Sequence, residues 1–155
     1  MTLIQTLMNQ TSINTFLEAG EIKRFSPTEI RETIQSLVAS EQVNLAYALG
    51  DAGLAIYPNS EDMLAINGLL AVIRQEWDLA IEMLNELMEL QGHNTQPFTY
   101  VMLTRALRCN LDPAGALNVV RKGLAQYPNQ LELVAESLAL EEYVHAINPT
   151  SELTQ

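Results

Sequence analysis

The side chains that could do covalent or metal chemistry are few and scattered. Cys109 is the one thiol among 155 residues. Its neighbours Leu107, Arg108 and Asn110 offer no general base, so a packed or groove-lining thiol is the plainer reading than a nucleophile. His93 and His145 have no Cys or His at the short intervals that zinc ligation uses. The carboxylate pairs Glu61-Asp62 and Glu141-Glu142 fit helix starts and solvent faces, and there is no Gly-rich phosphate loop. These residues point to no catalytic group, no metal site and no cofactor, and hence to a protein that is not an enzyme.

What remains is the chemistry of binding. Asp78, Glu82, Glu86 and Glu89 recur at intervals of 4, 4 and 3 residues, which puts them on one helical face. Like charges so spaced repel by a few tenths of a kcal/mol per pair. Such a strip is either a solvated convex surface or a docking strip for a basic partner. The whole chain carries a formal charge of −11, from 19 acids against 8 bases. That field repels phosphate backbones and anionic lipid, which argues against nucleic acid as a partner. No run approaches the roughly 18 apolar residues that span a bilayer, so no membrane insertion is expected. A single cysteine allows no intrachain disulfide and suits a reducing cytoplasm.

The elements that would position a binding surface are helical. Leu, Ala and Met dominate, aromatics are few, and apolar residues recur at helical rather than strand spacing. One heptapeptide occurs twice, as Gly53-Leu54-Ala55-Ile56-Tyr57-Pro58-Asn59 and as Gly123-Leu124-Ala125-Gln126-Tyr127-Pro128-Asn129. Six of the seven residues match across an interval of 70. That interval is close to two units of about 34 residues, the helical-hairpin repeat length. A degraded third copy lies between them, where Met83 to Gln91 runs into Gly92.

Start and stop signals divide the chain into hairpins. Ser26-Pro27-Thr28-Glu29 reads as a capping box with Pro at the first helical position. Ile30, Ile34, Leu37 and Val38 then form an apolar stripe, and a second helix over residues 45–57 is stopped by Pro58. A second hairpin opens at Ser60-Glu61-Asp62, turns at Arg74-Gln75-Glu76 and continues through Trp77, Ala80, Leu84 and Leu87. A third opens at Pro97, turns at Asn110-Leu111 and restarts at Asp112-Pro113. A last helix runs from Leu131 to about Ile147. The expected organisation is an N-terminal helical cap or arm over 1–26, one helical domain over 27–149 and a tail over 150–155. Within the domain the repeats fall at about 27–60, 61–96 and 97–130, with a cap helix at 131–147.

With these residues in place the sequence resembles the tetratricopeptide repeat (TPR) family. Ala46, Ala80 and Ala116 fall on the small position of successive second helices, Gly68 on the small position of a first helix, and Gln75-Glu76-Trp77-Asp78-Leu79-Ala80-Ile81 is similar to the family's entry into a second helix. The pattern is departed from at Ile34 and Thr104, where a small residue is favoured. The resemblance implies an all-α, TPR-like α-solenoid of three hairpins. An antiparallel bundle without superhelical stacking is the alternative. More narrowly, the chain resembles the small TPR-like chaperones and apparatus proteins of bacterial type III secretion.

In TPR arrays the first helix of each hairpin lines a concave groove. Carried over to this sequence, the family pattern implies that groove residues include Arg31, Gln35 and Val38, then Ala65, Leu69, Val72 and Ile73, then Phe98, Val101, Arg105 and Arg108, with Ala135, Ala139 and Tyr143 continuing the line. Leu69, Val72, Ile73, Phe98, Val101, Arg105 and Arg108 are the expected centre. An apolar middle flanked by Arg suits a peptide with apolar anchors and some acids. The clamp by which some TPR co-chaperones grip a terminal carboxylate is not assembled, since Arg31, Gln35, Phe98 and Met102 stand at its positions. The function expected is binding of a protein segment, with cytosolic chaperoning of a secreted subunit as the narrower form. The alternative is a self-assembling scaffold whose partner is a second copy of the chain.

Overall fold

The computed structural model describes Leu3 and residues 21–147. Among them are seven α-helices and no strand. The expected cap or arm over 1–26 lies outside the described residues apart from Leu3, a 3-10 turn at Glu21–Arg24, and Phe25 and Ser26; the tail over 150–155 lies wholly outside.

Two of the helices begin at a side-chain cap followed by proline. Helix α1, Pro27–Ala39, is capped by the Ser26 hydroxyl, which accepts from the Glu29 N–H at 3.2 Å, and Pro27 occupies its first turn. Helix α2 spans Val43–Ile56, α3 spans Glu61–Ile73 and α4 spans Trp77–Gln91. The link from α4 passes through Gly92, whose φ of 55° is open to glycine at little cost. Helix α5, Pro97–Cys109, is joined to α6, Pro113–Gln126, whose cap Asp112 accepts from the Gly115 N–H at 3.0 Å. Helix α7 spans Leu131–Ile147.

The three tight turns are built alike. Glu41, Gln75 and Leu111 adopt φ of 63°, 62° and 62°. The N–H of the next residue reaches back to close the helix, Gln42 to the Leu37 carbonyl at 2.8 Å, Glu76 to Ala71 at 2.9 Å and Asp112 to Leu107 at 2.9 Å. This is the Schellman closure, here made without glycine.

The chain divides into two compact units, Met1–Leu70 and Ala71–Gln155. In the first, α1 packs on α2, and Ile22, Ile30, Ile34, Leu49 and Met63 form a buried core that Leu3 joins. In the second, α5 packs against α4, α6 and α7. With neighbours on three helices, α5 buries every residue from Thr99 to Thr104.

The repeated heptapeptide makes the same contacts in each unit. A Cβ on Gly53 would lie 2.7 Å from the Met63 Sδ and 3.2 Å from the Ile30 Cγ2, while one on Gly123 would lie 3.0 Å from both Leu133 and Tyr100. Ile30 and Tyr100, like Met63 and Leu133, are separated by the repeat interval, so each glycine admits a close approach to two first helices. The one mismatched position is also explained. Gln126 accepts from the Tyr100 hydroxyl at 2.9 Å and donates to the His93 carbonyl at 3.0 Å. Its counterpart Ile56 packs on an apolar core that includes Ile30.

Candidate protein-binding surface

The residues expected at the groove centre meet different fates. Leu69 is half-buried against the core of the first unit. In the second unit Val72 is half-buried, and Ile73 and Phe98 are at the surface, 40% and 38% exposed. Val101 is only 2% exposed, because α5 is enclosed by α4, α6 and α7. It has almost no surface to offer a ligand, and its place is in the core. Of the outer positions, Arg31 and Val38 are half-buried, Gln35 is exposed, and on α7 Ala135, Ala139 and Tyr143 are exposed.

Arg105 and Arg108 are brought together, but on a residue of their own unit. The Arg105 Nε donates to Oε1 of Glu136 at 2.7 Å, and the Arg108 Nε donates to Oε2 at 3.1 Å. A second Arg105 nitrogen lies 3.4 Å from the Glu132 carboxylate. Glu136 is buried, so each of its oxygens exchanges water for a guanidinium. The geometry makes a fork that fastens α7 to α5. The two arginines expected to greet acids on a partner already hold an acid.

A related pair joins first helices in the other unit. Arg31 donates to Oδ1 of Asp62, and the Thr28 hydroxyl donates to Oδ2 at 3.0 Å. Arg31 and Asp62 are 31 residues apart, as are Arg105 and Glu136. Sequence reasoning missed Asp62, Glu132 and Glu136 as partners of these arginines. The signal was available, since an Arg followed 31 residues later by an acid occurs in both halves, one helical turn out of register.

The other singled-out side chains stay apart. Cys109 is exposed at the end of α5. Asp78 accepts from the Asn110 Nδ2 at 3.1 Å, while Glu82, Glu86 and Glu89 lie exposed along α4. Among the described residues no three His, Cys, Asp or Glu side chains converge as metal ligands. No helix among them is long and apolar enough to cross a membrane.

No protein-family model matches the sequence, and no curated protein is significantly similar to it. Solved structures are similar in fold. A point mutant of MamA aligns with a TM-score of 0.66 and 20% identity over 79% of this chain and 70% of its own. The structure of MamA MSR-1 C2 aligns with a TM-score of 0.67 and 19% identity, over 79% of this chain and 69% of its own. These neighbours are TPR-like helical solenoids, and the fold class of this chain is accordingly all-α and TPR-like.

Proposed function

We propose that the chain is a protein-interaction module that binds a segment of another protein and catalyses no reaction. The observation that carries this reading is the pair Ile73 and Phe98. Both are large apolar residues on first helices of the repeat, and both remain exposed. The TPR-like fold supports the same reading, as does the scatter of Cys109, His93 and the carboxylates. The recognition surface comprises Ile73 and Phe98 with Val72 beside Ile73 in sequence, and excludes Val101. Arg105 and Arg108 act in it chiefly as the fastening of α7.

The narrower form of the proposal is a cytoplasmic chaperone or component of a type III secretion system, built as one domain over 27–149. It rests on the sequence resemblance. Apolar residues of a secreted subunit would be covered on the first helices and so kept from premature assembly. A self-assembling scaffold is the competing reading. Affinity purification from the native cell, followed by mass spectrometry, tests the proposal. A defined protein should copurify with the parent chain and be lost with Ile73→Asp or Phe98→Asp, with helical circular dichroism unchanged. Retention of that protein by both variants rejects the surface. Recovery of the chain alone, with a multimeric mass in light scattering, selects the scaffold.

A further inference from the structure

The outer face of α7 is apolar where the end of a helical stack is normally polar. Leu131 and Leu138 are 81% and 57% exposed, and Val134 between them is also exposed. Their spacing of 3 and 4 residues puts them on one face, which Glu141 and Glu142 continue toward the C-terminal end.

The repeat register shows what belongs there. Gly123 approaches Tyr100 and Leu133 as Gly53 approaches Ile30 and Met63, so α7 stands to α5 and α6 as α3 stands to α1 and α2. Helix α7 is therefore a first helix. Val134 and Leu138 occupy the positions of Leu64 and Gly68 on α3, which are both buried. On α7 the same face lies open, and among the described residues no second helix follows.

Charge decides the occupant. Helix α7 contains no Lys or Arg, and Glu141 and Glu142 have no ion-pair or hydrogen-bond partner among the described residues. A second copy of this chain would bring the same acids and another charge of −11. We propose that the outer face of α7 docks a basic amphipathic helix of another protein, which completes a fourth hairpin. The partner helix lays apolar residues on Leu131, Val134 and Leu138 and places Lys or Arg against Glu141 and Glu142. Its length matches the second helices α2, α4 and α6, which have 14, 15 and 14 residues.

The test uses the full chain and a labelled synthetic peptide of about 18 residues, long enough to hold some helix alone. The peptide has Leu and Ala on one face and Lys on the flanks, and anisotropy reads its binding. Saturable binding is expected, weakened about tenfold by Leu138→Asp and by Glu141→Lys with Glu142→Lys, as for central interface residues. Glu86→Lys on α4 should leave it unchanged. Should Leu138→Asp lose its helical signal, the two Glu→Lys changes at exposed positions carry the test. The proposal is overturned if the peptide does not bind, or if Glu86→Lys weakens it as much as the α7 charge reversals. It also fails if a Lys→Gln peptide binds as well, or if sedimentation shows a dimer that Leu138→Asp dissociates.

Discussion

The Tyr127 hydroxyl donates to the Thr95 carbonyl at 2.8 Å, two residues before α5 begins. The Tyr57 hydroxyl donates to the Phe25 carbonyl, also at 2.8 Å and also two residues before its first helix. In each unit the end of a second helix is thereby tied to the entry of the first helix of its own hairpin, across 32 residues of chain. Tyr127 also stands edge-on to Tyr100, with centroids 6.3 Å apart. Removing either hydroxyl orphans a carbonyl at a hairpin base. Tyr57→Phe and Tyr127→Phe should each cost about 1 kcal/mol in urea denaturation at unchanged m-value. A loss indistinguishable from zero at both sites would mean that water replaces the tyrosine.

The glycines of the same heptapeptide should not respond equally to a methyl group. Alanine within a helix gains up to about 1 kcal/mol over glycine, but only where there is room. At Gly123 the added Cβ meets the Tyr100 Cβ and Cγ at 3.0 Å, atoms held close to the backbone of α5. At Gly53 the nearest atom is the Met63 thioether, near the end of a flexible side chain. Gly123→Ala should therefore destabilise by about 1–2 kcal/mol, and Gly53→Ala by clearly less. Thermal unfolding of the two variants checks the order, and the reverse order would refute the packing argument.

These contacts explain how much was legible beforehand. Ser26-Pro27 and Asp112-Pro113 announce helix starts because a cap and a proline act locally, and both starts fall where the sequence puts them. The repeated Gly-Leu-Ala-x-Tyr-Pro-Asn reveals the hairpin frame because the same packing problem is solved twice. Val101 was misleading for the opposite reason. Its exposure depends on α7 coming to rest on α5, a contact between residues roughly thirty apart. The pairing of Arg105 and Arg108 was hidden likewise, since a cation on a predicted groove looks free until the buried carboxylate across from it is known. Ile73 and Phe98 stay at the surface.

The hairpin turns offer a gain rather than a loss. Leu111 holds φ at 62° and is 83% exposed, so its side chain contributes strain and almost no packing. A left-handed residue with a Cβ costs roughly 1–2 kcal/mol, part of which glycine gives back through its greater freedom when unfolded. Leu111→Gly should raise the stability by about 0.5 kcal/mol, a Tm shift of a few degrees, and the exposed residues Glu41 and Gln75 should respond in the same direction. A fall in Tm at all three would show that the turn residues pack in a way their exposure denies.

The fork on Glu136 should be strongly non-additive. With Arg105 or Arg108 alone replaced by Ala, the buried carboxylate keeps one guanidinium, and since both arginines are more than a third exposed each loss should be about 1 kcal/mol. Replacing both leaves a buried charge without a partner at either oxygen. The double variant should then lose about 1–3 kcal/mol more than the sum of the singles. Adding Glu136→Leu to it should recover most of the excess, because the unpaired carboxylate and not the missing arginines is the source of the penalty. Urea titration of the parent and the four variants measures this directly. Additivity within about 0.5 kcal/mol, or no recovery with Glu136→Leu, would show that α7 is held to α5 by apolar packing at Leu133 and Leu140 and that the ion pairs are incidental to it.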